Sequence, residues 1–300
     1  MKILALLALM PLMANPHPFV APQEPSGKEV VKSEQKPSTE SVEMLTLQFG
    51  VYRTDKASTV YRSFLPIIIG IQDGMEERLK RPVEIEIQIF KTYQEGLDAL
   101  VNGDVDFVRF GPASYVLAKE RDKEIELLAM EHKKGKKIFK GVIAVRAESP
   151  IKNLSDLKGK SFAFGDENST IGRYLAQAEL IKVGIHGKDL GRTEFLGRHD
   201  IVAKAVEMGD FDAGSLKIST FEKMNAKGKL RILWSFDNVT KPWIAKSGLD
   251  TRVLQALKEV MLTWDDSEAL QALKISGWLI CKDSEYQKIR QSMALAKKEF

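Results

Sequence analysis

A chain of 300 residues, 44% of them hydrophobic, carries enough apolar material for one large core or two of medium size. Its 45 basic and 41 acidic residues leave a net charge of +4, which excludes the polycationic surface of a nucleic-acid binder. One cysteine, Cys281, excludes a disulfide within the chain, and four scattered histidines (His17, His132, His186, His199) offer no Cys/His spacing for a metal.

Residues 1–21 have the pattern of an export leader. Lys2 is the basic start, residues 3–14 are a short apolar run, and small residues offer cleavage after Ala14 or Ala21. The run is too short to span a bilayer and no later one is longer; an uncleaved anchor is the alternative reading. Cys281 lies far from the leader, so no cysteine there carries a lipid. Residues 22–43 are Pro, Glu, Lys, Ser and Gln with almost nothing to bury, which predicts a disordered linker. The expected location is the periplasm.

From Leu45 onward strands alternate with helices. Leu45–Tyr52 reads as a strand, residues 61–79 as a helix with Pro66 near its start, and Val83–Phe90 as a strand with Val83, Ile85, Ile87 and Ile89 on one face. Thr92 caps a helix over 93–101, broken at Asn102, Gly103 and Asp104. A strand over 105–110 turns at Gly111 and Pro112 into a helix over 113–119. This order demands parallel strands with helices on their faces, and ligands of such sheets bind outside the carboxyl ends of the strands. Those ends are Tyr52 with Arg53, Thr92 with Tyr93, residues 111–114, and residues 166–170.

Residues 125–131 and Ile138–Arg146 read as strands leading outward, joined by a basic turn over 133–137. A second α/β unit follows: a short helix and turn at 154–159, strands over Phe162–Phe164, 193–196, 211–216 and 230–236, and a helix over 201–208. From Leu249 the pattern is helical, with breaks near Asp265, Asp266 and Gly277. Two α/β lobes result, the first (44–140 plus 237–300) completed by the C-terminal helices and the second spanning 141–236.

The stretch 161–185 organises the second lobe. The strand Phe162–Phe164 is followed by a polar turn, then Ser169, Thr170 and Gly172 at the start of a helical pattern that ends at Gly184. The first N–H groups of a helix lack intrahelical acceptors and that end is partly positive. Small hydroxyls there, with Gly172 admitting close backbone approach, suit a phosphate-like anion. Ser169 as an ordinary N-cap is the other reading, and both stand on these residues alone.

Residues 95–107 (EGLDALVNGDVDF) and 203–213 (AKAVEMGDFDA) form a near-repeat of helix, Gly-Asp, and a strand opening with Asp, one per lobe. These pieces, with Gly111–Pro–Ala–Ser–Tyr115, Asp156–Leu–Lys–Gly159, Ser169–Thr–Ile–Gly172 and Gly197–Arg–His–Asp200, make the chain resemble the phosphate/phosphite/phosphonate substrate-binding proteins of ABC importers over residues 45–290. The resemblance implies a two-lobed α/β fold of the type II periplasmic binding protein kind. Each lobe is then a mixed, mostly parallel sheet flanked by helices, with a ligand cleft between the lobes and hinges near 140–142 and 236–242.

It also implies that Ser169, Thr170, His199 and Tyr93 hold an oxyanion by hydrogen-bond donation; from the residues themselves, Gly172 at the helix start and Tyr52 after the first strand join the candidate ligand-binding set. From the residues alone, His199 reads equally as a helix-start residue and Tyr93 as a packing aromatic. The chain departs from the pattern at Ile171, where a second Ser is usual, at Arg198, where the family has Ser, and at Phe139, where relatives place a donor Tyr. Ser219 and Lys241 match positions where relatives that bind an aminoalkyl phosphonate have acids, so aminoethylphosphonate is disfavoured.

The expected function is capture of a small phosphorus oxyanion (phosphonate, phosphite or phosphate) by clamp closure and delivery to an inner-membrane ABC permease, by a monomer without cofactor, metal or nucleic acid. No nucleophile elbow or P-loop is present, so no catalysis is expected. A module reporting occupancy to a membrane receptor kinase is the alternative.

Overall fold

The computed structural model describes residues 43–53 and 55–300. The expected leader, and the expected linker up to residue 42, lie outside the described residues.

The first lobe opens with β1 (Leu45–Tyr52), α1 (Ala57–Leu79) and β2 (Val83–Phe90), and β1 and β2 pair in parallel along their whole length from Leu45↔Val83 to Tyr52↔Phe90. α2 (Tyr93–Asn102), β3 (Phe107–Arg109), α3 (Pro112–Arg121) and β4 (Glu126–Glu131) follow. The six-stranded sheet runs β11-β4-β10-β3-β1-β2, with β10 (Pro242–Ala245) and β11 (Trp278–Leu279) opposed in direction to the other four. α1 starts four residues before its apolar period begins, which places Pro66 inside the helix. The proline deprives one carbonyl, that of Arg62, of its helical donor; Arg62 is exposed, so water can serve that carbonyl. The inner face of α1 buries Phe64, Ile67, Ile71 and Met75 against β2 and against α7 (Thr251–Thr263). At the centre Phe49 packs on Phe107 (ring centroids 5.1 Å) and Trp243 (5.0 Å). Loss of one such buried ring costs a domain about 3–5 kcal/mol.

The second lobe is a five-stranded sheet, β7-β6-β8-β5-β9, built from β5 (Ile138–Arg146), β6 (Phe162–Phe164), β7 (Thr193–Phe195), β8 (Ala213–Lys217) and β9 (Leu230–Val239). Only β5 runs against the rest. α4 (Ala176–Lys182), α5 (His199–Met208) and the short α6 (Ile218–Met224) cover it.

The near-repeat has the same structural meaning in both lobes. Gly103 and Gly209 end α2 and α5 with φ of 82° and 86°, a conformation a side chain would strain. The aspartate three residues later then accepts a backbone N–H at the neighbouring strand: Asp106 that of Gln48 within β1 (2.7 Å), and Asp212 that of Ser161 just before β6 (2.9 Å).

The chain passes between the sheets twice, at residues 132–137 and 240–241. The passages are tied by Thr240 N–H donating to Lys137 O (2.9 Å) and Glu131 N–H donating to Lys241 O (3.0 Å). α7 and α8 (Ser267–Ala272) pack on the first lobe, while α9 (Gln287–Glu299) lies against α3 of the first lobe and against α4 and the helical turn before it in the second. Its Ile289, Met293 and Ala296 are buried in a cluster that draws on both lobes, Glu299 pairs with His186 Nδ1 (3.0 Å), and Phe300 meets Phe164 edge-on. The segment before it is fixed to the first lobe, where Tyr115 donates to Asp283 (2.6 Å). The C-terminus therefore grips both lobes.

Candidate ligand-binding cleft

The carboxyl ends of β1 and β3, the start of the helix after β6, the start of α5 and the end of β8 converge on one cleft of about 270 Å³. Its walls come from both lobes. Tyr52, Tyr93, Ser169, Thr170 and His199 all line it.

Ser169 sits at the N-cap of the helix, and its Oγ accepts the Gly172 N–H at 2.9 Å. The first turn, Thr170–Leu175, is a π-helix that continues into α4. Thr170 Oγ1 accepts a backbone N–H from the opposite lobe, that of Ala113 at the start of α3 (2.8 Å). Each hydroxyl thus has an acceptor lone pair in use and keeps its own proton to donate. Ser169 and Thr170 are 2% and 4% exposed, so that donation is made in a desolvated setting.

Gly172 does not line the cleft, and its N–H is committed to Ser169. The structure gives this glycine a different reason from close anion approach: a Cβ here would lie 2.8 Å from Gly165 Cα. The absent side chain lets the turn after β6 fold back on the helix, where Gly165 N–H donates to Gly172 O (2.8 Å).

Tyr52 and Tyr93 stack with ring centroids 3.7 Å apart. Tyr52 Oη accepts the Gly111 N–H (2.5 Å) and lies 3.1 Å from Ser114 Oγ. Burial pushes the Tyr52 hydroxyl up to about 12, with the Ser114 and Gly111 bonds offsetting part of the effect. Tyr93 is raised well above the usual tyrosine range by burial and by its neighbours Tyr52 and Asp166, with Ser169 offsetting part of the effect. Both tyrosines stay protonated, as donors must.

His199 opens α5 at 8% exposure. Burial, with Lys217 and Lys241 adding repulsion, pushes its pKa down to about 3, against a smaller opposing pull from Asp200 and the Ser215 backbone. The imidazole is therefore neutral at pH 7, and its Nδ1 has no hydrogen-bond partner among the described residues. Arg198 turns away to pair with Asp200.

Several lining residues were not visible as a group in the sequence. Arg109, at the end of β3, forks Glu131 (2.6 and 2.9 Å). Burial alone would raise Glu131, but the guanidinium wins and holds it below the usual carboxylate range. Lys217 ends β8 and Lys241 follows β9, both against the Phe139 ring. Burial, with repulsion from Arg109, lowers Lys217 to about 8, and burial with Arg109 and Lys217 lowers Lys241 well below the lysine range. Asn238, in β9, is 2% exposed and neither atom of its amide has a partner among the described residues. The rule that sites lie at carboxyl ends of strands points to Arg109 and Lys217; nothing local marks Asn238.

Two α/β lobes sharing one donor-lined cleft define a solute-binding clamp. The comparisons give the family. The family model described as "ABC transporter, phosphonate, periplasmic substrate-binding protein" matches residues 49–286, and the chain belongs to that family. It is similar to a probable ABC transporter phosphite binding protein, PhnD1, of Prochlorococcus marinus (28% identical over 255 residues, 73% of this chain and 84% of that protein). It is also similar to the phosphate-import protein PhnD of Mycolicibacterium smegmatis (25% over 230 residues, 71% and 70%). The fold matches the 1.52 Å structure of P. marinus PhnD1 in complex with methylphosphonate with a TM-score of 0.73 at 24% identity, covering 84% of this chain and 98% of that one.

Proposed function

We propose that the cleft captures a small phosphorus oxyanion (phosphonate, phosphite or phosphate) and that the protein, as a periplasmic monomer, presents it to the permease of an ABC importer. Ser169, Thr170, Tyr93 and His199 hold the oxyanion, with Tyr52 setting the position of Tyr93 by stacking. Gly172 acts indirectly, by shaping the turn that orients Ser169.

The observation that carries this reading is the paired use of Ser169 and Thr170. Each accepts one backbone N–H, from Gly172 and Ala113, and so directs its remaining proton elsewhere. The Ala113 bond crosses between lobes, so the groups that grip the anion are also those that join the closed clamp. Binding energy made only in that arrangement is what shifts an open–closed equilibrium. Relatives named for phosphite and phosphate, and one solved with methylphosphonate, support the choice of phosphorus oxyanion.

Calorimetric titration with phosphate, phosphite, methylphosphonate and sulfate tests it. One phosphorus oxyanion is expected to bind, with binding lost in Ser169→Ala/Thr170→Ala. Retention of full affinity in the double variant, or binding of sulfate alone, would overturn the assignment.

A further inference from the structure

The cleft carries more positive charge than one oxyanion head uses. Arg109, Lys217, Lys223, Lys241 and Lys274 all line it, and Asp55 is the only carboxylate among the described lining residues. Two of the cations are matched: Arg109 by Glu131, and Lys223 by Asp55 at 2.9 Å. The ammonium groups of Lys217, Lys241 and Lys274 have no ion pair or hydrogen bond among the described residues.

Their surroundings make this costly for an empty cleft. Lys217 and Lys241 are both half-buried and approach the same ring, with Nζ 5.6 and 5.9 Å from the centroid of Phe139. Cation–π contact returns only part of what an ammonium loses on leaving water, and two like charges on one ring also repel. Beside them the buried amide of Asn238 lines the cleft without a partner. At the lip, Lys274 takes a left-handed backbone (φ 58°) at the end of α8, a position where glycine costs least. Buried polar groups are normally satisfied, so this cluster is built for a group that arrives with the ligand.

We propose that Lys217, Lys241 and Asn238 form a second anion subsite, and that the native ligand is a phosphonocarboxylate: a phosphonate head joined by a short apolar linker to a carboxylate. The proposal rests on the oxyanion reading above for the first head. Two ammonium groups and an amide NH2 match the lone pairs of one carboxylate. Phe139, without the hydroxyl of a tyrosine, gives the linker an apolar surface. At about 270 Å³ the cleft lies just below the usual range of small-molecule sites, which favours a ligand of a few carbons. An aminoalkyl phosphonate would bring its ammonium to two lysines.

The test is calorimetric titration of the purified protein with methylphosphonate, phosphonoacetate, 3-phosphonopropionate, 2-aminoethylphosphonate and methylenediphosphonate. One phosphonocarboxylate is expected to bind tighter than methylphosphonate by on the order of tenfold or more, the effect of one charge-assisted hydrogen bond. Lys217→Met and Lys241→Met should each shrink the ratio of phosphonocarboxylate to methylphosphonate affinity. Methylphosphonate binding as tightly as both phosphonocarboxylates would overturn the second subsite and leave the oxyanion reading standing. Methylenediphosphonate as the tightest ligand would overturn the carboxylate. Failure of all five to bind would overturn both readings.

Discussion

Ala113 and Thr170 stand on opposite sides of the cleft, and the backbone N–H of Ala113 donates to Thr170 Oγ1 over 2.8 Å. Both residues are buried, so an unanswered N–H there costs about 1–3 kcal/mol. Thr170→Val keeps the shape and removes the acceptor. Phosphonate affinity should fall by on the order of tenfold or more in that variant, while Thr170→Ser stays within a few-fold of the parent. Equal losses in both variants would show that the methyl group matters and the hydroxyl does not.

His199 sets an acid limit on stability. Its folded value, about 3, lies below the ordinary 6.5 because of burial and then of Lys217 and Lys241, with Asp200 and the Ser215 backbone pulling the other way. The unfolded chain therefore binds a proton that the folded chain refuses between those values. The stability associated with neutral His199 is fully present above about pH 6.5 and is lost as pH falls towards 3. Denaturant unfolding across this window should show a pH slope that His199→Gln reduces. An unchanged slope would mean that other groups dominate acid unfolding.

Lys217 sets an alkaline limit on anion binding. Its value of about 8 reflects burial and Arg109, with Glu131 opposing and Lys274 adding to the repulsion; Lys241 and His199 are neighbours on which Lys217 in turn acts. A bound anion raises that value, so the Lys217 contribution to affinity is complete below about pH 8 and is lost as pH rises through the higher, bound-state value. Titrations at pH 8 to 9 in buffers of different ionisation enthalpy should report proton uptake on binding, reduced in Lys217→Met. No uptake would contradict this account.

Gly172→Ala probes the turn. The new Cβ would sit 2.8 Å from Gly165 Cα and 2.9 Å from Ser169 Oγ, distances that force the backbone to move. Overpacking of this kind costs about 1–3 kcal/mol, and here it also displaces a donor. Both the melting temperature and anion affinity should drop. A change in melting temperature alone would separate the turn from the site.

Much of this architecture could be read from residue patterns because the physics is local. β1, β2 and β5 have the bounds that their alternation and flanking turns imply, and Thr92 caps α2 by accepting the Glu95 N–H. α6 escaped because seven residues containing Ser219 and Thr220 show no helical period. β10 escaped because it is four residues long and opens with Pro242. α1 begins at Ala57 among polar residues with no side-chain cap, so its first turn leaves little trace. Ser169, Thr170, Tyr93 and Tyr52 were findable because they end strands or start helices. The lysine pair was not: Lys217 lies one residue beyond a strand read to 216, and its isolation depends on which carboxylates the fold brings near. Asn238 is similarly hidden, since only the full length of β9 shows that a polar amide is sealed inside.

The distribution of cations between the lobes has a mechanical consequence. Lys274 belongs to the first lobe and Lys217 to the second, and neither ammonium is paired among the described residues, so shutting an empty cleft concentrates like charge that water would otherwise screen. An electrostatic interlock is the expected result: without an anion the open form should be favoured, and an arriving anion should remove the repulsion while adding contacts of its own. Scattering from the ligand-free protein should show compaction as salt rises past about 0.1 M, where the screening length falls below roughly 10 Å. Such an interlock would keep unloaded copies from presenting the closed shape to a transporter and driving it without cargo.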